Sequence, residues 1–465
     1  MKSQKNIHHQ PLRRVLVANR GAAAARVIRA LRVLGIISIA VYSEADAGLP
    51  YLQEADLAIP IGPAQASLSY LDQDNIIKVA LEAEADGIHP GYGFLSENAE
   101  FAERVQAAGL CFIGPSPQWI RRLGHKTQAR SFMASEGMPQ AASSPVLPND
   151  PRAIAAAADA IGFPVLIKPA GGGGGIGMLP AHNHAELMTA WSKASSISQK
   201  SFGTAELYLE KLISAPRHVE FQVLADRYGG VRVLFERDCS VQRRHQKVIE
   251  EARAPAINNE TLEHVSALIA ELLARVGYDI IGTVEMLYTP EAGFVFLEMN
   301  TRLQVEHAIT EEITGIDIVT AQIRLASGES IDAVLPQAIT AHGHAIEARI
   351  YAEDPLSFLP SPGPLQTFTL PQGDGIRTET GYAQGCIVSS YYDPMIAKVI
   401  AWGEDRPAAI QRLRQALTEF DIRGIKTNIP FIIRVLDHDD FNACRIDTAL
   451  SQRVLATPET QKEMI

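Results

Sequence analysis

The chain has 465 residues, 46% of them hydrophobic and 6% aromatic, enough to bury a large core over several domains, which excludes a disordered or collagen-like polymer. Its 42 basic and 53 acidic residues leave a net charge of −11, which argues against nonspecific binding to nucleic acid or to anionic membranes. Any anionic ligand must therefore be held by a local cluster of cations.

Residues 1–14 carry basic side chains and His8-His9 but no apolar core, so they read as a frayed tail and not as a signal peptide. Residues 13–17 predict a short strand, Val27, Ile28, Leu31 and Leu34 recur at helical spacing, and residues 36–42 resume a strand. This βαβ unit implies a parallel sheet. Further strands are expected at 57–61 and 111–114, with helices at 75–85 and 97–108. The turn after the first strand, Asn19 to Ala24, holds one glycine and no GxGxxG pattern, which argues against a dinucleotide site. His89 reads as a loop residue making a structural hydrogen bond. The expected outcome is an open parallel α/β domain over 11–122.

A smaller block, 123–212, contains an alanine-rich helix at 153–161 and a glycine tract, Gly171 to Gly175 with Gly177, directly after an apolar strand ending in Lys168. A lysine beside a loop of bare backbone suits a polyphosphate. Met178 and Leu179 occupy the positions where a Walker A loop requires Lys and Ser or Thr. A strand-rich core is expected over 213–341. Within it, Gln242, Arg243, Arg244, His245 and Lys247 form a dense basic cluster, followed by Glu250 and Glu251. In an acidic chain this reads as a phosphate or bicarbonate pocket, with a solvated strand edge as the alternative. Two apolar strands around Glu285 and Glu298 flank a Pro-Glu-Ala-Gly turn and read as a hairpin. A register placing Glu285 opposite Glu298, with Asn300 on the same face, gives oxygen ligands for Mg²⁺, or else two solvent-facing glutamates. Arg302, Gln304 and Glu306 alternate with apolar residues and share one face of an extended chain, a set suited to a small carboxylate-like anion with Glu306 as proton acceptor. Alternating strands from His342 and an amphipathic helix at 407–420 complete a C-terminal domain over 342–455. The four cysteines, Cys111, Cys239, Cys386 and Cys444, form no metal-site pattern, and a reduced cytoplasmic setting is expected.

Four segments together resemble biotin carboxylase of the ATP-grasp superfamily: His89-Pro-Gly-Tyr-Gly-Phe-Leu-Ser-Glu-Asn98, the Lys168 glycine tract, Arg237-Asp-Cys-Ser-Val-Gln-Arg-Arg-His-Gln-Lys247 and Glu298-Met-Asn-Thr-Arg-Leu-Gln-Val-Glu-His307. Glu347-Ala-Arg-Ile-Tyr-Ala-Glu-Asp-Pro355 and Tyr392-Asp-Pro-Met-Ile-Ala-Lys398 extend the likeness to the C-terminal domain. The resemblance implies an N-terminal open α/β domain, an ATP-grasp lid and core, and a strand-rich C-terminal domain with helices. It implies ATP at Lys126, Lys168, Gly174, Gly175, Glu210, Lys211, His218, Gln242 and His245, with Mg²⁺, or Mn²⁺ in its place, at Glu285, Glu298 and Asn300. Bicarbonate is expected at Lys247, Arg302, Gln304, Val305 and Glu306, and Arg349 is expected to face the biotin ureido group. The implied activity is an ATP-dependent ligase reaction, carboxylation of carrier-bound biotin through carboxyphosphate. The implied partners are a second copy of the chain, a biotin carboxyl carrier protein and a carboxyltransferase subunit. No Ala-Met-Lys-Met segment is present, so the biotinylated lysine is expected on another subunit or a further domain. The chain departs from the family pattern at Ile176, usually arginine, at His125, usually aspartate, and at Ala22, usually a glutamate on the dimer face. A catalytically weak scaffold and another ATP-grasp carboxylate–amine ligase are the alternative readings.

Overall fold

Arg14–Val17 (β1) is the central strand of a five-stranded parallel sheet, flanked by Ile37–Ser43 (β2) and Leu57–Gly62 (β3) on one side and by Gly87–His89 (β4) and Cys111–Phe112 (β5) on the other. Helix Gly21–Val33 makes the first crossover and buries Val27, Ile28 and Leu31, the residues whose spacing predicts it. The computed structural model describes residues 11–171 and 176–457; His8-His9, most of the expected tail and the tract glycines Gly174 and Gly175 lie outside them. His89 is corrected from a loop to the last residue of β4. It is fully buried, and its Nδ1 accepts the Gly91 N–H at 3.0 Å.

The smaller block is a three-stranded antiparallel sheet, Val165–Pro169 (β6), Leu179–Ala181 (β7) and Leu207–Lys211 (β8), with β6 in the middle. Helices Pro151–Ile161 and His184–Phe202 flank it. The longer helix starts where Asn183 accepts the Glu186 N–H and stops at Gly203, whose φ of 73° only glycine adopts cheaply. Ile154, Val165, Ile167, Leu187, Trp191, Leu207 and Leu209 close a small core of their own.

Strands Arg217–Ala225 (β9), Val231–Arg243 (β10), Gln246–Ala252 (β11), Ile280–Thr289 (β12), Gly293–Asn300 (β13) and His344–Tyr351 (β14) form most of an eight-stranded sheet. After two short strands, Gly363–Pro364 (β15) and Thr367–Thr369 (β16), come Ile376–Thr380 (β17), Ile387–Val388 (β18), Met395–Gly403 (β19) and Asp421–Arg423 (β20). The large sheet runs β13-β12-β9-β10-β11-β14-β19-β17, so the C-terminal segment continues the sheet of the core. Helix Arg406–Glu419 covers this end, capped by Asp405 and burying Ile410, Leu413 and Leu417. Helix Asn259–Val276 packs on β9 and β10, from the Asn258 cap to Gly277 at φ 75°.

Because the three-stranded block, the expected lid, has its own core, it should fail separately from the large sheet. Trp191→Ala removes a buried indole and should cost the lid about 3–5 kcal/mol. Limited proteolysis should then cut within 151–211 while the rest of the chain stays resistant; uniform digestion would contradict an independent lid core.

Candidate active site

The β10–β11 hairpin turns through Arg244 and His245, both left-handed at φ 49° and 67°. Such a two-residue turn usually takes Asn or Gly, so Arg244 and His245 are held here against local preference. The hairpin projects Gln242, His245 and Lys247 into a cavity of about 730 Å³. Opposite lie Lys126 and, on the lid, Lys168, Glu210 and Lys211; β9, β12 and β13 contribute His218, Glu285, Glu298 and Asn300. Arg302, Gln304, Val305 and Arg349 complete the polar wall. The basic cluster divides: Arg243 turns away to Glu353 at 2.9 Å and lies over the Phe358 ring.

Glu285 and Glu298 are direct partners across the β12–β13 pair, as the hairpin reading expects. Glu285 is buried and accepts from Lys247 at 2.8 Å, Asn300 Nδ2 at 2.9 Å and Gln304 Nε2 at 3.0 Å, while His218 Nε2 lies 3.1 Å from its other oxygen. Burial opposes its charge, yet Lys247 and His218 together hold its carboxyl well below the usual range. Glu298 is more exposed and meets Lys126 at 3.4 Å. Glu285, Glu298 and the Asn300 amide offer hard oxygen donors from adjacent strands on one wall, and this donor set fits Mg²⁺.

Residues 301–306 are not the extended strand expected from their alternation; they form an irregular link into helix His307–Thr314, with Glu306 at its N-cap. Convergence is achieved by side chains instead. Arg302 donates to Gln304 Oε1 at 2.6 Å and to Asn300 Oδ1 at 3.1 Å, and Glu97 of the N-terminal domain holds its Nε at 2.8 Å. Glu306 is fully buried behind Lys247, which it meets at 2.6 Å, and also accepts from Arg349 at 2.9 Å. Burial again opposes its charge, but Lys247, Arg349 and Arg237 keep it ionised, well below the usual range. Lys168 pairs with Glu210 at 3.1 Å, and Lys211 is tied to the Gly162 and Phe163 carbonyls.

Three contributors are absent from the sequence reading. Glu220 on β9 gives Lys247 a third carboxylate at 2.6 Å and is itself held by Arg237 at 2.5 Å. Met178, Ile213, Leu287 and Leu297 form an apolar wall of the cavity. Tyr92 and Gly93 of the N-terminal domain close one end. Single apolar or acidic residues on buried strands carry no local pattern; the motif around Tyr92 is the only signal among them.

The family model described as the biotin carboxylase N-terminal domain matches residues 11–120, and that of the biotin carboxylase C-terminal domain matches 347–453. Between them, residues 125–334 match the ATP-binding domain of the carbamoyl-phosphate synthase L chain. A biotin carboxylase of Halalkalibacterium halodurans is 46% identical over 437 residues, covering 94% of this chain and 96% of that protein. The chain belongs to the biotin carboxylase family. It is also 45% identical to a pyruvate carboxylase subunit of Methanothermobacter thermautotrophicus, over 94% of this chain and 88% of the relative. The biotin carboxylase domain dimer of Hydrogenobacter thermophilus 2-oxoglutarate carboxylase, solved with MgADP, ADP and bicarbonate, superposes with a TM-score of 0.92 at 40% identity, over 97% of this chain and all of that one. The Campylobacter jejuni biotin carboxylase solved with a β,γ-ATP ligand gives 0.92 at 41% identity, covering 95% of this chain and 99% of that one. Among the described residues no helix is long and apolar enough to cross a membrane.

Glu347, buried on β14, has Lys398 at 3.5 Å, but burial outweighs this cation and pushes its carboxyl up to about 8. The folded state thus keeps a proton that the unfolded chain releases in the ordinary carboxylate range, and the stability it contributes is lost as pH rises through the folded value. Glu347→Gln should therefore gain on the wild type in melting temperature between about pH 5 and about pH 8, and a constant gap would contradict this.

Proposed function

We propose that the cavity residues divide the work of an ATP- and bicarbonate-dependent biotin carboxylation. The observation that carries this reading is one cavity lined by lysines, by paired oxygen donors and by the Arg302–Gln304 clamp, with the Lys247–Glu306 contact of 2.6 Å at its floor. The adenine base lies against Met178, Ile213, Leu287 and Leu297, beside His218, Gln242 and His245. Lys126 and Lys168 meet the phosphates, Gly174 and Gly175 contribute to the same nucleotide site, and Glu210 and Lys211 brace the lid. Glu285, Glu298 and Asn300 would hold Mg²⁺, which supplies charge neutralisation on the phosphates.

Bicarbonate sits between Lys247, Arg302, Gln304 and the Val305 backbone. In the resting site Lys247 and Arg349 weaken Glu306 as a base. Bicarbonate draws these cations onto its own oxygens, and Glu306 then takes its proton. The bicarbonate oxygen attacks the γ-phosphorus, the bond to ADP breaks, and carboxyphosphate forms. Its C–O bond cleaves to CO₂ and phosphate, the phosphate takes the biotin N1 proton, and N1 attacks CO₂. Arg349 stabilises the charge that develops on the ureido oxygen.

The biotin is delivered by a carrier protein and consumed by a carboxyltransferase subunit, and the chain works as a homodimer; relatives that are carboxylase subunits, and the solved dimer, support these partners. A reducing cytoplasmic setting is supported by four unpaired cysteines.

Phosphate release from Mg-ATP should require bicarbonate and rise with free biotin. Glu298→Gln should lower it by about two orders of magnitude or more, whereas release independent of bicarbonate would exclude this chemistry. Ile176 is half exposed beside the glycine tract, and Ile176→Arg adds a cation to the phosphate lid. The KM for ATP should then fall by about threefold or more, and an unchanged value would remove position 176 from nucleotide binding.

A further inference from the structure

Arg349 is gripped on two edges by two different carboxylates. Its Nη2 donates to Glu306 at 2.9 Å, and its Nε donates to Glu250 Oε1 at 2.5 Å. Glu250 is fully buried on β11, and its Oε2 makes no hydrogen bond among the described residues. Register explains the surroundings. Glu250 faces Glu347 across β11 and β14, Arg349 faces Lys398 across β14 and β19, and Lys398 faces Glu379 across β19 and β17. These side chains therefore share one face of the sheet below the cavity, where successive positions alternate between faces. Neither oxygen of Glu347 makes a hydrogen bond to the described residues, and the Glu250 carboxylate has a single one, from Arg349.

A buried carboxylate committed to a single guanidinium edge is costly unless it fixes something. The two edges of Arg349 face different fates during the reaction. Glu306 must leave its Nη2 contact when it engages bicarbonate, whereas the Nε contact is held by Glu250 on β11, which does not line the cavity. We propose that Glu250 is a positioning residue, which keeps the Nη edge of Arg349 aimed into the cavity while Glu306 is occupied, so that biotin meets a fixed guanidinium. This deepens the carboxylase reading and rests on it.

The role belongs to the second half of the reaction, so its loss should uncouple ATP cleavage from biotin carboxylation. The measurement is phosphate released per biotin carboxylated, with the KM for ATP determined alongside. Glu250→Ala should raise this ratio about tenfold with the KM for ATP within about twofold of wild type, and Glu250→Gln, which keeps the acceptor, should restore most of the coupling. If the alanine variant does not fold, Glu250→Asp keeps the charge but retracts the carboxylate by one carbon, and should raise the ratio about threefold. A wild-type ratio in the folded alanine variant, or in the aspartate variant where alanine fails, overturns the proposal. So does a rise in the KM for ATP with the ratio unmoved. Wild-type phosphate release without bicarbonate dependence would instead defeat the carboxylase reading itself, which separates the two failures.

Discussion

A single ammonium group holds this site together. Lys247 Nζ lies 2.6 Å from Glu220, 2.8 Å from Glu285 and 2.6 Å from Glu306, carboxylates delivered by three separate segments of the chain. Burial disfavours all four charges, yet the three carboxylates together raise the Lys247 pKa well above its ordinary value. Removing the lysine would leave three buried anions facing each other, a loss on the order of 3–5 kcal/mol by the cost of breaking buried ion pairs. The arrangement is stable only while a cation sits at its centre. On the proposed reading, bicarbonate competes for this cation with the carboxylates that already hold it.

The continuous sheet brings these charges together. Because β14 and β19 extend the core sheet, Arg349 and Lys398 reach the site from the C-terminal segment, and Lys398 donates to the Val305 carbonyl at 2.5 Å. The N-terminal domain adds Glu97, which accepts from both the Thr301 backbone and the Arg302 side chain. All three large segments thus converge on the link 301–306, which has no regular secondary structure to hold it. The three-stranded block carrying Lys168 and Glu210 packs on a core of its own, apart from these contacts.

Much of this was legible in the sequence where chemistry and spacing are local. The hairpin follows from two apolar strands around one turn, although Glu285 meets Glu298 only through a register shift next to Met286, and every described residue expected to hold ATP or metal lines the same cavity. The helix at 407–420 is within one residue of Arg406–Glu419 because capping and apolar period agree. Strand β4 was missed, since three residues buried on both faces show no alternation. The turn at Arg244-His245 lacks the glycine or asparagine that announces such turns, so nothing local marks it. Glu220 and Glu250 were silent as to role for another reason: a buried carboxylate takes its meaning from cations distant in sequence, and only the fold brings Lys247 and Arg349 beside them.

The central claim is that bicarbonate and the γ-phosphate react directly inside the Lys247 cavity. Bicarbonate labelled with ¹⁸O, supplied with Mg-ATP and biotin, tests it by mass analysis of the released phosphate. Transfer through carboxyphosphate places a single labelled oxygen in each phosphate, whereas attack by water leaves the phosphate unlabelled. Unlabelled phosphate formed at the full turnover rate would contradict the account.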